Sequence, residues 1–577
     1  MFSDQMLHTN EPSLPQRGPG ETIVRTTLTR GTTLALPMSR ARSDSSVRTR
    51  AQTSFSTGLL MRTTHVALAS RPLGVSLLVP LLGLLVWTLV ARQNWVAPQI
   101  LPDPSLVWTT LKGMVTSGEI SENLLVSLRR VLLGFSLGST LGLLLGWWMG
   151  LFPRIERLLY PSIAALAQVP ALGFIPLLMM FLGIGEALKL TIVAKAVFVP
   201  VVIHSMRGVQ NVPSGWLELA SVCEHRKFQI LVRVVLPASL REVITGLRLA
   251  LSQAWLALVT VELLASSEGI GYVMIRGRQL NQIDVVLVTA LVIGMVGYLL
   301  DRVLRLAERV TPTVRNFGPN KRPATTASKR TIREGLLLPV IVIILWAIVS
   351  HARWVNVRFL PSPVQTVRTL LVQIRDGELN VALASSLQRV VLGLLLGCVS
   401  GVLIGTLLGR LNWLGALVLP SFHAFRQVTL IAWVPLLTLW AGQDEPAKLI
   451  FIALAVFVPM TLCACEGARA VSSAHLEVTE VFGVSRWTRF RWVILPSALP
   501  HLCAGLELGI VYAWLATIGA EYFFRAAPGI GNLMVDGREH FQMDLVLCGV
   551  CVVGGVGFLV NRLTLMLRTR LLRWAVQ

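Results

Sequence analysis

What this chain has little of is charge. Only 14% of its 577 residues are Asp, Glu, Lys or Arg, where soluble domains carry roughly a quarter. With 54% hydrophobic residues and a mean hydropathy of +0.66, a water-soluble fold is excluded. Acidic residues are scarcest, 30 against 52 Lys and Arg, for a net charge of +22. The Arg clusters fall between apolar stretches and at both ends, where positive residues gather on a cytoplasmic face, so the excess points to membrane topology and not to nucleic acid. The seven cysteines do not form a disulfide framework: Cys398, Cys463, Cys465, Cys503, Cys548 and Cys551 lie in or beside apolar segments, and only Cys223 falls in a polar loop. They read as small buried hydrophobes. The nine histidines are scattered without metal-ligand spacing, and no catalytic constellation is visible. A GxxxxGK[ST] phosphate loop is missing, which excludes ATP hydrolysis through that motif.

What is there is a succession of apolar runs of spanning length, the pattern of an all-α membrane protein. Residues 1–70 differ, being rich in Ser, Thr and Arg, and read as a disordered cytosolic tail. They superficially resemble an organellar transit peptide; a true start at Met38 or Met61 is an equally good reading. A second polar stretch, 309–333, reads as a cytosolic linker.

The chain is a tandem duplication. At an offset of 259 residues LPDP (Leu101–Pro104) falls on LPSP (Leu360–Pro363), and five glycines four apart, Gly134, Gly138, Gly142, Gly146 and Gly150, fall on Gly393, Gly397, Gly401, Gly405 and Gly409. The register continues through Gln168 and Gln427, Trp255 and Trp514, and Glu262 and Glu521; one inserted residue then pairs Gly271 with Gly531 and Asp284 with Asp544. Each half, 71–308 and 334–577, shows six candidate spans, about 12 in all. An even number per half makes the repeats parallel, related by an axis along the membrane normal. The Arg and Lys distribution places both termini in the cytoplasm. Arg129, Arg130 and Arg389 lie at outer ends against that rule and are expected to snorkel to the interface.

The glycine strips put a small residue on one helix face every fourth position. This predicts close helix packing, with Gly134, Gly138 and Gly142 and Gly393, Gly397 and Gly401 at its centre. Pro170, Pro176, Pro200, Pro435 and Pro459 interrupt apolar runs and mark kinks, broken helices or bent packing. Intramembrane ionisable groups are costly and hence site candidates: Glu262 and Glu521 near the end of the fifth span lead them, with Gln168 and Gln427 beside the prolines as further pathway candidates. Lys195, whose repeat mate is Leu454, and Arg248, whose mate is Glu507, are asymmetric charges that either line an anion route or pair between the halves.

Between the fourth and fifth spans each half carries a polar loop too regular to be random. It reads as a short amphipathic helix, a turn, and a second basic helix that a proline ends before the chain re-enters the bilayer. In the second loop the turn residue is Gly483, free to take a positive φ; in the first it is Glu224, for which that geometry costs about 1 kcal/mol, so this loop must turn differently or store strain. The first loop is also the more basic, with His225, Arg226 and Lys227 where the second has Val484, Ser485 and Arg486.

The pattern Glu218, Ala220, Glu224, Leu236, Pro237 and Glu477, Thr479, Gly483, Leu495, Pro496 resembles the EAA loop of binding-protein-dependent ABC importer permeases. The resemblance runs over nearly the whole chain from residue 72, twice. Ser127 and Arg130 before the glycine strip, the GIG at Gly269 and Gly529, and NQID and FQMD at Asp284 and Asp544 look most like the aliphatic sulfonate, nitrate and taurine branch. It implies a type I importer permease fold, two six-helix subunits fused in one chain, in a bacterial inner membrane. It further implies two copies of a cytoplasmic ATPase that bind the ATP, a periplasmic or lipid-anchored substrate-binding protein, no cofactor or metal in this chain, and a small oxyanion, aliphatic sulfonate first, as cargo. The alternative is a six-plus-six secondary transporter driven by an ion gradient.

Overall fold

In hydrocarbon every backbone amide and carbonyl needs a partner within its own segment, so apolar runs become helices. The computed structural model describes residues 73–310, 329–356, 359–426, 428–471, 473–525 and 527–571, and among these there is no strand. The tail 1–70, most of the linker 309–333, Gln427 and Arg573 lie outside the described residues. The first half runs α1 (Leu73–Arg92), α2 (Pro104–Thr116), α3 (Glu119–Leu151), α4 (Pro153–Gln168), α5 (Ile175–Leu182), α6 (Glu186–Gln210), α7 (Ser214–Val222), α8 (Lys227–Ile230), α9 (Leu236–Ala265), α10 (Ile270–Gln279) and α11 (Ile283–Val310). The second repeats it: α12 (Lys329–His351), α13 (Pro363–Arg375), α14 (Glu378–Arg410), α15 (Asn412–Phe425), α16 (Val434–Ala441), α17 (Glu445–Arg469), α18 (Ser473–Val481), α19 (Arg486–Arg489), α20 (Leu495–Phe523), α21 (Ile530–Glu539) and α22 (Met543–Leu571).

Among the described residues seven helices are long and apolar enough to span a membrane, and three bent pairs raise the number to ten. The shorter apolar α1 and α12 complete six spans per half. The third span of each half is broken, by 91° between α4 and α5 and by 88° between α15 and α16. Pro176 and Pro435 sit in the first turn after each break, where a missing N–H costs nothing. Pro200 and Pro459 lie inside unbroken helices.

The glycine strip of α3 lies against α6: a Cβ on Gly138 would stand 2.5 Å from the Ala194 carbonyl and one on Gly146 2.6 Å from that of Val202. In α14 a Cβ on Gly397 would stand 2.6 Å from the Ala453 carbonyl of α17. Leu133, Leu137, Leu141 and Leu144 on the rest of α3 are exposed, as lipid-facing positions are, because hydrocarbon is as good a solvent for leucine as a protein core.

The halves form one unit from residue 72 onward and meet reciprocally. Gly294 of α11 packs on Val428, and its repeat mate Gly554 of α22 packs on Val169, the mate of Val428. In the same way α1 leaves its own half to lie on α15, and α12 lies on α4. Such exchange is the signature of a two-fold. The Trp440 indole N–H, at the end of α16, donates to the Ile100 carbonyl, just after α1, at 3.0 Å. With an even span count this brings equivalent ends of the halves to one side, so the repeats are parallel.

Short motifs that repeat at the offset are polar ties that repeat too. Asp103 and Ser362 cap α2 and α13 ahead of Pro104 and Pro363. The hydroxyl and amide of Ser105 hold the Asp103 carboxyl below its ordinary value. The indoles of Trp87 and Trp346 donate to Pro102 and Pro361 at 2.9 and 3.0 Å. The Asp of NQID and FQMD accepts from the amphipathic helix of its half, Thr110 to Asp284 at 2.6 Å and Thr369 to Asp544 at 2.7 Å.

Candidate functional site

A buried guanidinium in an apolar bundle is tolerable only if carboxylates neutralise it. Arg130 and Arg389 are 3% and 4% exposed, which corrects the expectation that they snorkel; Arg129 alone is exposed. Each Arg forks onto two glutamates. Arg130 donates to Glu186 at 2.5 and 2.9 Å and to Glu262 at 2.9 Å; Arg389 donates to Glu445 at 2.6 and 2.9 Å and to Glu521 at 2.6 Å. The remaining acceptor sites of Glu262 are taken by the Ser127 hydroxyl and the Gly271 amide, and those of Glu521 by Ser386 and Gly531. A side chain at Gly269 or Gly529 would collide with these carboxylates, which explains the GIG motif. Lys189 and Lys448 complete each cluster on Glu186 and Glu445, at 2.9 and 3.4 Å; in the first half Glu268 adds a third carboxylate 3.9 Å from Arg130. Glu262 and Glu521 have no exposed surface. These contacts tie α3, α6, α9 and α10 together, and α14, α17, α20 and α21 likewise, around the two carboxylates expected along the pathway.

The polar loops lie at the opposite end of α6 and α9, and of α17 and α20. In the first, α7 closes with the Glu224 amide on Ser221 and the His225 amide on Ala220; in the second, Gly483 bonds Glu480 and Val484 bonds Thr479, at 3.0 to 3.1 Å throughout. This is one helix-ending turn built twice. Glu224 takes a φ of 54° and Gly483 one of 62°, so the first loop stores the strain and does not turn differently. Ala220 and Thr479 are buried under the turn, while Glu218 and Glu477 point out. The expected break at the proline is corrected: helix continues from Lys227 to Ala265 and from Trp487 to Phe523. Just before Pro237 and Pro496 each passes through a π turn, Leu231–Val235 and Phe490–Ile494. The wider turn accommodates a ring that would otherwise crowd the carbonyl four residues back. Leu236 and Leu495 open the long helices after it.

Both loops present apolar side chains to the outside, Leu219, Val222 and Phe228 on one and Val481, Phe482 and Trp487 on the other. Phe228 occupies the repeat position of Trp487. Only the second has an internal ion pair among the described residues, Arg489 to Glu480 at 2.9 Å.

At the seam between halves, Gln168 ends α4 half-buried, its carbonyl facing Gly557 of α22. Lys195 reaches the same break: its ammonium donates to the Val169 carbonyl at 2.6 Å. Arg248 and Glu507 do not pair with each other. Arg248 bonds Glu308 at 2.5 Å, and Glu507 accepts from Arg568 at 3.1 Å. Because 308 and 568 are repeat mates, the same ion pair occurs in both halves with its polarity reversed. Sequence reading missed Ser127 and Ser386 as ligands of the buried glutamates, although their recurrence three residues before an arginine in both halves was the available signal.

The model of the binding-protein-dependent transport system inner membrane component family matches residues 138–311 and again 394–573. A permease protein of Bacillus subtilis named for aliphatic sulfonates transport is 36% identical over 233 residues, 40% of this chain and 84% of the relative. The taurine transport system permease protein of Escherichia coli is 33% identical over 235 residues, 40% of this chain and 86% of the relative. The bicarbonate transport system permease protein of Synechococcus elongatus is 30% identical over 267 residues, 44% of this chain and 95% of the relative.

Proposed function

The chain belongs to the binding-protein-dependent transport system inner membrane component family, whose domain it carries twice in tandem, and from that premise we propose that it alone forms the complete membrane pathway of an ATP-driven importer. The cargo is a small solute with an oxyanion group, with aliphatic sulfonate first because the relatives are named for transport of aliphatic sulfonates, taurine and bicarbonate, each of which carries a sulfonate or carboxylate-like oxyanion. Residues 71–308 and 334–577 act as two six-helix permease domains. Both termini, the tail 1–70 and the linker 309–333 lie in the cytoplasm, on the side of the two loops. Each loop docks one copy of a separate ATPase, which binds and hydrolyses the ATP; a periplasmic or lipid-anchored binding protein delivers the solute to the other face.

The observation that carries this reading is the pair of matching helix-ending turns, each with exposed apolar side chains and each rooted in the two helices that reach the buried charge cluster. A force on either loop is therefore transmitted along α6 and α9, or α17 and α20, to the opposite end. The purified chain should show no ATP hydrolysis, and should co-purify with two ATPase copies whose turnover rises on adding loaded binding protein. Ion-driven uptake that persists in liposomes without any ATPase would overturn it in favour of a secondary transporter.

A further inference from the structure

The cations of the two buried clusters, and the reversed pairs at the other end of the bundle, all have carboxylate partners. Lys195 does not. Among the described residues no carboxylate lies within 4 Å of its ammonium, which rests on the Val169 carbonyl and 4.7 Å from the centre of the Phe174 ring. It stands nine residues into α6, about 14 Å from the helix start at the helical rise, near the middle of a hydrocarbon layer roughly 30 Å thick. A charge at that depth marks a solute route more often than a packing element. The carbonyl it holds was freed by the break between α4 and α5. The side chain of that same Val169 meets Gly554 of the other half, so the ammonium sits at the seam.

A second donor points to the same place. Trp514 is 2% exposed and its indole N–H has no acceptor, whereas its repeat mate Trp255 donates to the Ile293 carbonyl at 3.1 Å. A Cβ on Gly557 would lie 3.1 Å from this nitrogen and 3.2 Å from the Gln168 carbonyl at the break. Beside the break between α4 and α5 the seam therefore holds an ammonium and an unused neutral donor. Neither is duplicated by the pseudo-two-fold, since Leu454 stands where a second lysine would.

We propose that Lys195 is the residue that contacts the anionic head of the solute at mid-membrane, with the Trp514 N–H as an accessory donor. This rests on the oxyanion reading given above. In the present conformation the Val169 carbonyl occupies the ammonium; a passing sulfonate or carboxylate oxygen is the stronger acceptor and replaces it.

The test uses the full chain with its ATPase and the binding protein that stimulates it, in proteoliposomes, with ethanesulfonate and taurine as probes. Lys195→Met should lower uptake about tenfold or more, the scale of one charge-assisted hydrogen bond, and leave stimulated ATP hydrolysis in place. Lys195→Arg should retain most of the uptake. The deciding variant moves the charge to the symmetry mate: Lys195→Leu with Leu454→Lys should recover uptake lost in Lys195→Leu alone, since an anion on the seam meets either position. A lysine that only caps the Val169 carbonyl would not be rescued in this way, and absence of rescue overturns the proposal, as does unchanged uptake in Lys195→Met. A wild-type complex that carries neutral solutes and neither probe overturns the oxyanion reading itself, and this inference with it.

Discussion

The two halves are most alike at the end where α3 and α14 begin and least alike toward the loops. At the first end each buried Arg with its two Glu, the capped α2 and α13, the indole ties and the Thr–Asp bonds recur at matching positions, while the more exposed pairs Arg130–Glu268, Arg276–Glu119 and Arg525–Glu539 each occur in a single half among the described residues. Toward the other end an ion pair keeps its place but reverses its sign, a turn has Glu in one half and Gly in the other, and an internal ion pair occurs on one loop only. The cause is the medium. A charge buried among apolar helices leaves one workable partner set, because removing any member strands the others. A pair that is about 30% exposed, as Arg248 and Glu308 are, works in either polarity, and a solvated turn tolerates strain of about 1 kcal/mol.

The sharpest way to break this comparison is to remove the buried arginines. Arg389→Met leaves Glu521, fully buried, without its counter-charge and should cost about 3–5 kcal/mol, seen as a lower unfolding temperature of the detergent-purified chain. Arg130→Met should do the same, and a tolerant half would show that the clusters are not equivalent. Next in size are Gly138→Val and Gly397→Val, where the new side chains meet backbone carbonyls on α6 and α17; each should cost about 1–3 kcal/mol, and the same in both halves.

The loops should respond unequally. Glu477→Ala with Gly483→Val places a β-branched residue at a φ of 62° that glycine now occupies, costing about 1–2 kcal/mol. Glu218→Ala with Glu224→Val alters a turn already strained at 54°. Ligand-stimulated ATP hydrolysis of the reconstituted complex should fall further for the first double variant; equal losses would mean that the difference between the turns has no mechanical consequence. The smallest effect concerns the reversed pair. Arg248→Glu should lose about 0.5–1 kcal/mol, and adding Glu308→Arg should restore it, because the second half already runs with Glu507 and Arg568. A double-mutant cycle with no recovery would show that the polarity matters after all.

Much of this was legible beforehand. The six spans per half follow from hydropathy, and the prolines of the third span lie at its break. The glycine strip faces the neighbour that such spacing requires. That Glu262 and Glu521 matter follows from their matched positions, but what they do was not legible. The partners of Glu262, namely Ser127, Arg130 and Gly271, come from two other helices, and a carboxylate in an apolar run looks the same on paper whether it is solvated, paired or lining a route. The π turns before Pro237 and Pro496 were hidden for a related reason: a proline after a short helix reads as a stop, and only the packing of the following span shows the helix carried through.

By itself the sequence determined that the chain spans a membrane, that it is built twice, and that its repeats are parallel. These depend on the period, length and number of apolar segments, which are properties of the chain taken one segment at a time. Tertiary structure decided which buried charges are neutralised and which are not. Arg130 and Glu262 meet across 132 residues of chain and Lys195 meets only a carbonyl, and whether an ion is balanced depends on distances of a few ångströms between helices that local sequence does not encode.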